Sequence, residues 1–81
     1  AEIEQAMTEA GYGEIKIREA QAIYSFALFN LSGDDVAEKL TECFLAETDE
    51  DLAEKINGAF YTAFSVDEIS AILESVRQEY G

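Results

Sequence analysis

Residues 34–44 read DDVAEKLTECF, and residues 50–60 read EDLAEKINGAF. In both, apolar residues recur every three or four positions among acids: Val36, Leu40, Cys43 and Phe44 in the first, Leu52, Ile56, Ala59 and Phe60 in the second. That spacing puts one greasy stripe on a 3.6-residue helix and predicts two amphipathic helices in succession. At an offset of sixteen the segments share Asp35/Asp51, Ala37/Ala53, Glu38/Glu54, Lys39/Lys55 and Phe44/Phe60. Shared amphipathic constraint accounts for the likeness, and a duplicated helix is the sharper explanation. Either way, Phe44 and Phe60 are expected at comparable core positions.

Hydroxyl residues mark where helices start. Ser32, Thr48 and Ser65 are each followed three residues later by an acid, Asp35, Asp51 and Glu68. A cap hydroxyl accepts a first-turn N–H, and the acid reaches back to the cap's own N–H. Glu fits that reach best, so Ser65 is the strongest of the three. The predicted helices run from Gly33 to Ala46, Asp49 to Phe64 and Val66 to Tyr80. Ile69, Ile72, Leu73, Val76 and Tyr80 form the apolar face of the last.

Upstream, residues 2–10 read as a helix with Ile3, Ala6, Met7 and Ala10 on one side, ended by Gly11-Tyr12-Gly13. Residues 14–18, EIKIR, alternate like a short strand. No second strand signal exists to pair with it, so an extended entry or a first helical turn is expected. From Glu19 to Leu31, Ala20, Ile23, Tyr24, Ala27, Leu28 and Leu31 form one stripe, and Ala22, Phe26 and Phe29 a second. A helix apolar on two faces is expected to be buried on more than one side, or to offer Phe26 and Phe29 to a partner. The expected fold is therefore all-α, a single-domain bundle of four to five short helices spanning residues 1–81. Leu28, Leu40, Phe44, Ile56, Phe60, Ile69 and Leu73 are its expected core.

Eighty-one residues suffice for one core. The chain has no His, no Pro and no Trp. Its single Cys, Cys43, makes neither an internal disulfide nor a thiolate zinc site, and a reducing, cytoplasmic setting is expected. The acidic start carries no secretory signature, and no apolar run reaches the ~18–20 residues of a membrane span. Gly11-Tyr12-Gly13 lacks the strand and third glycine of a dinucleotide loop. Counted from Asp49, an EF-hand would need Gly at position six and Glu at twelve, where Glu54 and Phe60 stand. No serine occupies the Asp-Ser-Leu context that acyl carrier proteins use for their prosthetic group. No enzyme activity, metal or cofactor is expected, and the acids are expected at solvated helix positions.

Charge is the remaining signal. Eighteen acids face five bases, for a net charge of −13. Eight of those acids fall within residues 32–51, against one base. Such a chain repels nucleic acid and anionic membranes and is drawn to basic protein surfaces. The candidate partner-binding residues are Asp34, Asp35, Glu38, Glu42, Asp49, Glu50 and Asp51, expected together around one inter-helix turn. The expected function is a small acidic protein-binding module or inhibitor. It would dock on a partner's basic surface, one used by that partner for nucleic acid being the sharpest case, with this chain as the nucleic-acid mimic. The alternative is an assembly adaptor or chaperone that works through an apolar helix face and self-associates as a homodimer.

Overall fold

The computed structural model describes residues 2–31 and 34–80. Five helices form among them: α1 (Glu2–Glu9), α2 (Glu14–Ala27), α3 (Asp34–Cys43), α4 (Asp49–Phe60) and α5 (Val66–Tyr80). The fold is an all-α bundle, and no described helix is long and apolar enough to cross a membrane.

The caps explain the boundaries. At α5 the box is reciprocal: the Glu68 N–H donates to Ser65 Oγ at 3.1 Å, and the Ser65 N–H donates to Glu68 Oε1 at 3.0 Å. At α4 the Asp51 N–H donates to Thr48 Oγ1 at 3.1 Å. The proposed cap Ser32 lies outside the described residues. α1 ends where Gly11 adopts φ +92°, a conformation that suits glycine. The alternating residues 14–18 form the first turn of α2, where Arg18 pairs with Glu14 one turn back at 3.7 Å.

Two helices stop earlier than periodicity suggests. α3 ends at Cys43 rather than Ala46, because residues 44–46 tighten into i→i+3 bonds: Phe44 to Thr41, Leu45 to Glu42 and Ala46 to Cys43. α4 ends at Phe60 rather than Phe64, because Tyr61 turns left-handed (φ 56°, ψ 42°). Asn57 holds that exit open. Its Oδ1 accepts from the Phe64 N–H (2.9 Å) and Thr62 Oγ1 (2.8 Å), and its Nδ2 donates to the Phe64 carbonyl (2.9 Å).

α2 packs chiefly on α5, α1 on α3 and α2, and α4 on α3 and α5. Met7, Ile23, Leu28, Leu40, Ile56, Ile69 and Leu73 are sealed in the shared core. Of the seven expected core residues, Phe60 alone is not buried. Phe44 is enclosed, with Tyr12 edge-on at 6.4 Å and Lys16 Nζ 5.9 Å above its ring. Phe60 sits at the last residue of α4, is half-buried against the core, and walls an open cleft. The repeated segments are thus not equivalent in packing: among the described residues an aromatic ring and a cation meet Phe44, and none does so at Phe60. Nor is α2 buried on two faces. Ala20, Ile23 and Leu28 face the core, while Phe26 and Phe29 remain 71 % and 69 % exposed.

Candidate partner-binding surface

α3 and α4 form an antiparallel hairpin joined by residues 44–48, with Asp35, Val36 and Lys39 facing Ala59, Phe60 and Tyr61 across one end. This geometry divides the acidic group instead of gathering it at one turn. Glu42, Asp49, Glu50 and Asp51 lie toward the connection. Asp34 and Asp35 begin α3, at the opposite, open end, and the Asp34 side chain lies outside the described set. Glu42 is seven residues from Asp35, about 10.5 Å along the helix axis.

Asp35, Glu38 and Glu42 follow i, i+3, i+7 spacing, so they share one exposed stripe of α3. Among the described residues Glu38 and Glu42 enter no ion pair, and Asp35 meets Lys39 at 3.6 Å. Glu50 and Asp51 are exposed in the first turn of α4, beside the positive end of its dipole.

Asp49 faces inward. Arg77 Nη2 donates to its Oδ1 at 3.1 Å, Arg77 Nη1 to its Oδ2 at 3.3 Å, and Ser70 Oγ to its Oδ2 at 3.2 Å. The Arg77 hydrogen bonds hold the Asp49 carboxyl below the usual carboxylate range, against a smaller opposing effect of burial. Those same bonds raise the pKa of Arg77. Arg77 Nε also donates to Glu19 Oε2 at 2.8 Å, and Nη1 to Glu74 Oε1 at 3.3 Å.

Glu19 departs from the expectation that every acid is solvated. It is 1 % exposed on the face of α2 turned to α5. Its Oε1 takes no hydrogen bond, although Lys16 Nζ lies 3.4 Å away. Nothing local in the sequence marks it, since its principal partner is 58 residues distant.

The bases are largely spent on these pairs. Lys16, Arg18, Lys39 and Arg77 each hold an acid of the same chain, and among the described residues only Lys55 lacks an ion-pair partner. Arg18 also lies 5.2 Å over the Tyr80 ring.

Beside the acid stripe is a cleft of about 210 Å³ at the open end of the hairpin. Leu31, Val36, Ala59, Phe60 and Tyr61 supply its apolar walls, and Asp35 and Lys39 its polar edge. Tyr61 is 94 % exposed. Cys43 is buried away from this surface, and burial pushes its thiol up, away from the reactive thiolate. Among the described residues, no three His, Cys, Asp or Glu side chains are grouped to hold a metal ion. Comparison of the chain with protein-family models, curated proteins and solved structures finds no match.

Proposed function

We propose that this chain is a non-enzymatic protein-binding module whose acidic face, along α3 and the start of α4, docks on a basic surface of a partner protein. The observation that supports this reading most is the allocation of charge. Four of five bases are engaged within the molecule, while Glu38, Glu42, Glu50 and Asp51 are exposed and enter no ion pair among the described residues. An unneutralised face of this kind raises association rates with basic partners. A basic surface is commonly one that binds nucleic acid, so inhibition by mimicry of a polyanion is the sharpest form of the proposal. Asp49 contributes to the field but serves mainly as the anchor of Arg77. The proposed setting is the cytoplasm, in keeping with a single buried thiol.

The test compares Glu38→Lys/Glu42→Lys with Glu2→Lys/Glu4→Lys, which carries the same net charge at exposed positions of α1. A pull-down supplies the partner. The α3 pair should weaken binding more than tenfold and slow association, and the α1 pair should change it little. Equal loss in both would reduce the effect to total charge.

A second reading rests on Phe26 and Phe29, both largely exposed near the end of α2. An adaptor or chaperone acting through them would bind with little dependence on salt, whereas acidic docking weakens steeply as ionic strength rises.

A further inference from the structure

We infer that the cleft between the start of α3 and the end of α4 is the anchor pocket for a basic amphipathic helix of the partner, taking one aromatic side chain while the partner's bases lie along Asp35, Glu38 and Glu42. The inference rests on the acidic-docking reading above and gives that reading an orientation and a second recognition element.

The geometry is that of one continuous site. Asp35 belongs to both the acid stripe and the cleft edge. The cleft, about 210 Å³ and open to solvent at its mouth, is of a size to admit one aromatic ring edge from outside. Tyr61 stands as an exposed wall at the mouth. Helix docking of this kind uses apolar anchors for affinity and flanking charge for register. Bases on a partner helix at i, i+3 or i+4, and i+7 match the stripe on α3, with the anchor toward the Asp35 end.

Charge decides who the occupant is. A second copy would bring another net −13 and the same acid stripe against this one, which like-charge repulsion opposes. An acidic or neutral segment could fill the cleft but would leave the stripe unpaired. A basic segment satisfies both. Lys39 at the edge pairs with Asp35 at 3.6 Å, so a partner base shares Asp35 with it and finds Glu38 and Glu42 unshared among the described residues.

Tyr61 provides a variant that separates binding from folding. It adopts φ 56°, where glycine is at ease and a bulky residue is strained. Tyr61→Gly therefore removes the wall of the cleft while easing the backbone.

The experiment titrates the protein with three synthetic helical peptides of about 16 residues, long enough to hold a helix. One carries lysines at the matching spacing and a Phe anchor, one has that Phe replaced by Ala, and one keeps Phe but carries Glu for Lys. Affinity and amide chemical shifts of Leu31, Val36, Ala59 and Tyr61 are read together. The basic peptide with Phe should bind at least tenfold more tightly than its Ala counterpart, a gap of about 1.4 kcal/mol, and shift the cleft amides. The acidic peptide should not saturate. Tyr61→Gly should melt no lower than the parent and lose most of the advantage of Phe. Equal binding of the two basic peptides, or full retention by Tyr61→Gly, overturns the pocket while leaving acidic docking in place. Equal binding of the acidic Phe peptide overturns the basic occupant and the acidic-docking reading with it. No saturation by any peptide below about 1 mM overturns the pocket.

Discussion

Arg77 of α5 donates its Nε to Oε2 of Glu19 on α2 at 2.8 Å and, with its two terminal nitrogens, grips the carboxylate of Asp49 on α4. One guanidinium thus joins three helices, and among the described residues it supplies the hydrogen bond to buried Glu19, whose other oxygen has Lys16 Nζ 3.4 Å away. Removing one partner of a buried pair leaves a charge stranded. Arg77→Ala should cost about 2–4 kcal/mol, toward the low side of such losses because Arg77 keeps about a third of its exposure. Glu19→Met in the Arg77→Ala background should recover much of that loss. Urea denaturation of the two single variants and the double variant checks the coupling, and additive losses would show that Glu19 does not need Arg77.

Asp49 makes stability depend on acid. Its folded pKa is depressed, chiefly by the hydrogen bonds from Arg77. A group depressed on folding contributes its full stabilisation above its unfolded pKa and loses it as pH falls through the lower folded value. Stability should therefore decline below about pH 4, and Asp49→Asn should flatten that decline while lowering stability at neutral pH. Denaturation midpoints from about pH 6 to about pH 2 measure the difference in slope.

The two phenylalanines of the repeated segments should respond unequally. Phe44 is buried, with Tyr12 edge-on and Lys16 Nζ above its ring, so Phe44→Ala should cost about 3–5 kcal/mol. Phe60 is half-buried at a cleft wall, so Phe60→Ala should cost about 1–2 kcal/mol. Against the ~4–12 kcal/mol expected for this length, the first approaches unfolding and the second does not. Thermal melts rank them directly.

Ser65→Ala removes the hydroxyl that accepts the Glu68 N–H and should destabilise by about 0.5–2 kcal/mol. Ser65→Asp restores an acceptor and should recover most of it. A melt of Ser65→Ala unchanged from the parent would mean that α5 is held by packing alone.

The helices and most of the core were legible because their causes are local. Ser65 and Glu68 are three residues apart, and the stripe through Ile69, Leu73 and Val76 needs only one helix to be seen. Residues 14–18 alternate like a strand with nothing to pair with, which left an extended entry and a first helical turn both open; they form the first turn of α2, with Arg18 3.7 Å from Glu14. The end of α4 was not legible: Tyr61 is no ordinary stop, and the turn is fastened by Asn57 reaching forward to residues 62 and 64. Burial of Glu19 and the inward turn of Asp49 depend on Arg77, 58 and 28 residues away, and no windowed pattern reports that. The acid group looked like one cluster because it is dense in sequence. A helix has length, and α3 carries Asp35 and Glu42 to different ends of the hairpin.

The pairing of α2 with α5 also bears on how long the molecule stays folded. These helices share the most extensive interface of the bundle, yet α3 and α4 lie between them in the chain. Neighbouring pairs such as α3 and α4 close short loops and assemble early, while joining α2 to α5 carries a larger closure entropy. The latch made by Arg77 is therefore expected to form late, which a φ-value near zero for Arg77→Ala would test. Arg77→Ala should then speed unfolding more than it slows refolding, and the two arms of a chevron measure this. On that expectation α5 is the clasp of the bundle, and the lifetime of the native state is where loosening it would be felt.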